Sequence, residues 1–324
     1  MSFTIFNKLF ASGHISADEL QHIQAPYPKS VHWELRTLLY LGIVLTTTGA
    51  GILVYENIDT IGHTVIISAI ALACAACFAY CFKTSAGFVR GKATTTHVLQ
   101  DYILLLGCLL LLSFIGYIQY QYTVFGSRLG MASFIPMVLL FASAYYFDHL
   151  GVLSLAITNL AAWAGIVASP LNILSDNDFN NVYLIYTAIL LGVILIAMAV
   201  LSTKKQLKAH FAFTYKNFGA HILFIALLAA IIQIEQIYLL WFLVLLGVVF
   251  YFFTTAVAEQ SFYFFVITVL YAYFGISYVI MDFLIAVSGY AIAYFIMIYF
   301  IASGIALIRL FMYYNKKLKQ HDSL

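Results

Sequence analysis

Apolar runs of about 20 residues follow one another along most of the chain, the length a helix needs to cross a bilayer core. In hydrocarbon, backbone N–H and C=O groups must be satisfied within the segment, so continuous runs of this length fold as transmembrane helices. Hydrophobic residues make up 64% of the 324 and charged residues 9%. A soluble domain would expose that excess as large apolar patches, whereas lipid accepts it. The net charge of +2 is too small to point to a nucleic-acid partner. The chain is therefore expected to be an all-α polytopic membrane protein with the lipid bilayer as its first partner.

Ten spans are read, at roughly 36–55, 62–82, 98–119, 129–147, 150–169, 181–201, 217–234, 237–256, 260–280 and 288–311. A nine-span alternative merges helices within 274–312, where only Asp282, Ser288 and Gly289 interrupt the apolar run. Charge separates the two readings. With ten spans, all but Arg128 of the fifteen lysines and arginines fall on one side. That side carries Lys8, Lys29, Arg36, Lys83, Arg90, Lys92, Lys204, Lys205, Lys208, Lys216, Arg309, Lys316, Lys317 and Lys319. The opposite connections carry Glu56, Asp59, Asp176, Asp178, Glu235 and Asp282. The positive-inside rule then places both termini in the cytoplasm.

Residues 1–35 contain no continuous apolar core of a signal peptide, so the first span is expected to insert uncleaved. Phe3, Ile5, Phe6, Leu9 and Phe10 can share one face of a short amphipathic helix. Ser16 with Glu19 fits a capping box for a second helix, ending before Pro26 and Pro28. The expected organisation is a cytoplasmic helical hairpin over 1–35, a bundle over 36–312 and a basic tail over 313–324.

Two stretches resemble each other. Ile157-Thr158-Asn159-Leu160-Ala161-Ala162-Trp163-Ala164-Gly165-Ile166 echoes Ile267-Thr268-Val269-Leu270-Tyr271-Ala272-Tyr273-Phe274-Gly275-Ile276. Each follows a tight hinge, Asp148-His149 or Ala258-Glu259, and Ile118-Gln119 is echoed by Ile232-Gln233. Spans 3–6 and 7–10 are thus expected to be parallel four-helix repeats.

Few side chains in the spans can carry chemistry. Asp101 lies about one turn into the third span, and an aspartate costs less there than at the bilayer centre. Its ordinary partner would be a lysine or His97, four residues back. A sharper reading pairs it with His221, at similar depth in the seventh span, as a pH-sensitive or cation-linked site. Asn159, Gln119 and Gln233 are further buried polar candidates, more suited to helix–helix hydrogen bonds than to a ligand. Asp148-His149 reads as a turn; adjacency alone makes no acid–base site. Cys74, Cys77 and Cys81 share one helix face, which with neighbouring alanines reads as packing rather than a metal site. Thr46-Thr47-Thr48 with Gly49 and Gly51 suits close helix packing, with the hydroxyls bonded back to their own helix. No catalytic residue, cofactor site or metal site is assigned, and enzymatic activity is not expected.

The N-terminal part resembles the domain-of-unknown-function family 2157, a family of bacterial membrane proteins. The resemblance rests on Gly13-His14-Ile15-Ser16-Ala17-Asp18-Glu19-Leu20, on Leu41-Gly42-Ile43, on Gly49-Ala50-Gly51-Ile52-Leu53, and on the turn Glu56 to Gly62. In that turn Ile58 stands where family members often carry tryptophan. It covers roughly residues 5–82 and implies a bacterial inner-membrane protein with an N-terminal cytoplasmic hairpin, without site residues to transfer.

Two function classes fit. The first is a transporter of a small solute, favoured by the number of spans and the slight extramembrane mass. The alternative is a non-transporting scaffold or sensor that binds lipid or a membrane partner through the bundle and the hairpin, favoured by the sparse polar lining. A carrier should gather Asp101, Asn159 and His221 around one vestibule; a scaffold should bury them in separate helix contacts.

Overall fold

The computed structural model describes residues 32–56, 62–85, 87–93, 98–126, 129–168, 181–287 and 292–319. Residues 1–31 of the predicted N-terminal hairpin and His97 lie outside the described residues, and 32–35 belong to the first helix. Ten α-helices occur among those residues. They are α1 His32–Glu56, α2 His63–Thr84, α3 Val98–Tyr122, α4 Leu129–Phe147 and α5 Leu150–Ala168. α6 Val182–Lys204, α7 Ala212–Gln233, α8 Tyr238–Ala258, α9 Phe262–Val287 and α10 Ile292–Lys319 follow. α9 and α10 are separate helices, as the ten-span reading requires. The basic stretch expected as a tail continues α10 as helix to Lys319.

From α2 onwards consecutive helices pack side by side, whereas α1 packs on α3. Their buried residues form a small cluster of Ile185, Ala230 and Ile234 and two large ones. One runs from Cys81 on α2 through α3, α4, α5 and α6 to Phe211 and Tyr215 at the start of α7. The other joins α7, α8 and α9 around Phe224, Leu245, Phe252 and Phe265. With no hydrophobic drive between helices in lipid, close backbone approach supplies the packing. At the α6–α7 seam, a Cβ on Gly192 would stand 2.9 Å from the Leu223 backbone nitrogen. One on Gly219 would stand 3.1 Å from the Gly192 carbonyl oxygen. The α2 cysteine face meets α3 in the same way: a Cβ on Gly107 would lie 3.0 Å from the Cys77 Cβ. The Cys74 thiol donates to the Gly107 carbonyl at 3.5 Å.

α1 behaves differently. Thr47 and Thr48 do donate back to helix carbonyls at 2.9 Å. Yet a Cβ on Gly42, Gly49 or Gly51 would meet nothing within 4 Å. The expectation of close packing there is therefore corrected: among the described residues no neighbour closes on these glycines. α10 is also peripheral. It runs antiparallel to α9, with Tyr273 hydroxyl 3.1 Å from Ser303 Oγ and Ser277 Oγ 2.8 Å from the Tyr299 hydroxyl. Tyr314 stacks on Phe265 with centroids 4.5 Å apart.

The α4–α5 and α8–α9 turns share one local design. In the first, Asp148 has φ +60°, His149 N donates to Ala144 O at 3.1 Å, and His149 Nδ1 accepts from Val152 N at 3.0 Å. In the second, Gln260 has φ +54°, Ser261 N donates to Ala256 O at 2.9 Å, and Ser261 Oγ accepts from Phe264 N at 3.4 Å. The turns equate Asp148 with Gln260, an offset two residues longer than the one aligning Ile157 with Ile267. Two residues rotate a helix face by about 200°. Burial follows the turns: Val152, Leu153 and Ala156 are buried, as are Phe264, Phe265 and Thr268. The matched sequence stretches therefore stand out of register with the structurally equivalent positions. The Gln119 and Gln233 echo also dissolves, since Gln119 is buried and Gln233 is exposed.

Candidate functional site

Of the polar residues singled out in the spans, Asn159, His221 and Gln119 have separate partners. Asp101 sits in the first turn of α3, where free N–H groups and the helix dipole favour a carboxylate. Beside it, the Gln100 carbonyl lies 3.9 Å from the Cys81 thiol. Asn159 Nδ2 on α5 donates to the Ser133 carbonyl on α4 at 3.0 Å. His221 on α7 bonds to α9, with Nδ1 2.8 Å from the Tyr271 hydroxyl and Nε2 3.2 Å from the Tyr263 hydroxyl. Tyr263 in turn donates to Asn217 Oδ1 at 2.6 Å. With that proton committed, Tyr263 accepts from His221 Nε2–H and Nδ1 accepts from Tyr271, so one neutral tautomer satisfies the chain. Gln119 closes its own turn, donating to Gly126 O at 3.0 Å and accepting from Phe125 N at 2.9 Å.

A buried ionic cluster lies at the basic end of the bundle. Lys208 is fully buried, with its Nζ 2.9 Å from Asp148 Oδ1. His210 Nε2 lies 2.8 Å from the same oxygen. Ala93 N donates to Asp148 Oδ2 at 2.6 Å, and Lys208 donates to Gly91 O through Nζ at 3.3 Å. Lys208 N donates to Arg90 O at 2.8 Å. Ser202 Oγ donates to the Lys208 carbonyl at 2.9 Å. The connections α2–α3, α4–α5 and α6–α7 thus meet on one carboxylate. Lys208 (φ +51°) is held in the left-handed region by these contacts, a strain that surrounding structure has to over-determine. In the sequence Lys208 reads as one of the interfacial cations and Asp148 as a turn residue. The only local signal was a lysine followed at once by Ala209-His210-Phe211, without further charge.

A roomy site lies at the other end. A cavity of about 730 Å³ opens between α1, α2 and α3. Its deeper wall is Thr46, Ala50, Ile70, Leu106 and Leu110. Towards the acidic end it is lined by Tyr55, His63, Tyr117, Tyr120 and Gln121. His63 Nδ1 lies 2.8 Å from the Tyr117 hydroxyl, which ties the start of α2 to the end of α3. The uncovered glycine face of α1 contributes Gly51 to the wall. From Leu106 to Gln121 the lining spans about 22 Å of helix, grading from aliphatic to hydrogen-bonding. A second cavity of about 480 Å³ between α5, α6 and α7 has only Thr187 as a polar side chain in its lining. Thr187 spends its hydroxyl on the Tyr183 carbonyl at 2.7 Å. Neither cavity is lined by Asp101, Asn159 or His221.

Residues 7–153 match the family described as "Predicted membrane protein (DUF2157)", so the match takes in α1 to α4 and the first turn of α5. This is the N-terminal portion of the chain, and it contains the graded cavity. No curated protein and no solved structure matches the chain.

Proposed function

We propose that this integral membrane protein is a non-transporting lipid-binding scaffold or sensor, holding one membrane amphiphile between α1, α2 and α3. The observation that carries the reading is the grading of that cavity. Its aliphatic depth suits an acyl or isoprenoid chain, and its imidazole, phenol and amide groups near the membrane surface suit a polar headgroup. A volume of about 730 Å³ falls within the range of cavities that enclose small ligands. The separate engagement of Asn159 and His221 supports this reading over a small-solute carrier, which would draw such groups around one path. The basic end is taken as cytoplasmic and the acidic end, with the mouth of the cavity, as outer.

The test is lipid retention by the purified full-length protein in detergent. Leu110→Trp fills the cavity without touching the basic end. It should abolish stabilisation by added membrane lipid extract, while Ile225→Trp, in the second cavity, should keep it. Equal stabilisation of wild type and Leu110→Trp would remove the proposed seat. Solute flux in proteoliposomes driven by a gradient would restore the carrier reading.

A further inference from the structure

A second groove lies at the basic end, between α6, α7 and α8. Its mouth is a cavity of about 270 Å³ lined by Thr203, Lys216, Tyr251, Thr255 and Glu259. A further cavity of about 280 Å³ adjoins it, since Ile196 and Tyr251 line both, and its floor is Val193, Leu223, Gly247 and Val248. Lys216 Nζ and Glu259 Oε2 pair at 2.5 Å across the mouth. The ammonium also lies 4.9 Å from the Phe264 ring centroid. The Glu259 side chain is 51% exposed and Lys216, largely enclosed behind it, lines the same cavity, so a group that displaces Glu259 meets the ammonium. From Thr203 to Val193 the groove follows α6 for about 15 Å, half of a hydrocarbon core of about 30 Å. That is the depth of one leaflet. The floor is open at Gly247, where a Cβ would meet nothing within 4 Å.

We propose that this groove seats one phospholipid with a zwitterionic, primary-ammonium headgroup of the phosphatidylethanolamine type. Its phosphate replaces Glu259 as the partner of Lys216. Its ammonium donates to the Glu259 carboxylate, and one acyl chain lies along Ile196, Val193 and Val248 past Gly247. Both halves of the ion pair are thereby exchanged for charge-assisted hydrogen bonds of the same kind. An anionic headgroup lacking an ammonium would answer Lys216 but leave Glu259 facing a phosphate. A quaternary ammonium has no N–H to donate. The site is independent of the cavity between α1, α2 and α3, and it occupies the opposite leaflet.

The experiment is native mass spectrometry of the full-length Leu110→Trp protein, which leaves the first cavity filled, with phosphatidylethanolamine, phosphatidylglycerol and phosphatidylcholine of matched chains. The expected result is retention of phosphatidylethanolamine at least about tenfold above the other two, the worth of one charge-assisted hydrogen bond. Glu259→Gln should bring that ratio to about one. Gly247→Leu, which fills the floor, should lower retention of all three. The selectivity ratio of Glu259→Gln is read on bound lipid within one folded population, so it stands even if Gly247→Leu folds poorly. Equal retention of phosphatidylglycerol, an unchanged ratio in Glu259→Gln, or full retention in a folded Gly247→Leu protein would overturn the proposal. A lipid seat between α1, α2 and α3 would be untouched by that failure.

Discussion

Lys208 shows how much one residue depends on its surroundings. As a letter in a basic loop it is an interfacial cation; folded, it is fully buried on Asp148. Removing one partner of a buried pair strands the other, which typically costs about 3–5 kcal/mol. Lys208→Met should therefore destabilise the protein by about 3 kcal/mol, since His210 and Ala93 N still face the carboxylate. Asp148→Asn with Lys208→Met should recover at least half of that loss, because no lone charge remains. Unfolding in detergent–denaturant mixtures, followed by circular dichroism, measures both. A single variant as stable as wild type would show the cluster to be solvated. Asp101 was legible as an aspartate near a helix start, and that is where it stands. The cluster was not legible, because its members come from connections more than fifty residues apart along the chain.

At the scale of elements, apolar run length predicted the helices closely. The reading of 129–147 coincides with α4, and α6 at Val182–Lys204 stands within a few residues of the reading 181–201. Which seams are tight could not be read from composition. Gly49 and Gly192 are both glycines in apolar helices, yet only Gly192 has a neighbouring backbone against it. Gly192→Val should overpack the α6–α7 seam and cost about 2 kcal/mol, whereas Gly49→Ala should be neutral or slightly stabilising. Melting temperatures from fluorescence-detected size exclusion would rank the two; the reverse order would contradict the packing described. The helix caps offer a second check. His149→Ala removes the side chain that accepts from Val152 N and should cost about 1 kcal/mol. Ser261→Ala, whose equivalent bond is longer at 3.4 Å, should cost less. The repeat echo placed its matched stretches two residues out of step with the turns, because apolar helices offer many chance matches and only the hinge geometry marks true correspondence.

For the whole molecule, the meeting of α2–α3, α4–α5 and α6–α7 connections on Asp148 requires that they share one end of the bundle. The Lys216–Glu259 pair adds the α8–α9 connection to that end. Alternation then puts Lys205 and Glu235 at opposite ends. Single cysteines at these positions, labelled in intact cells by an impermeant maleimide, should react only at 235. Labelling at 205 instead would invert the proposed orientation, and labelling at both would break the alternation.

Sequence alone determined that the chain crosses a membrane as helices, about where each helix begins, and that basic residues gather at one end. These are consequences of local hydropathy and of the cost of moving charge through hydrocarbon, and they need no partner to be evaluated. Tertiary structure decided which small residues are clamped and which are open, which lysine is buried, and where cavities remain. Those depend on the few ångströms separating side chains from distant segments, a quantity that hydropathy and spacing along one helix do not contain.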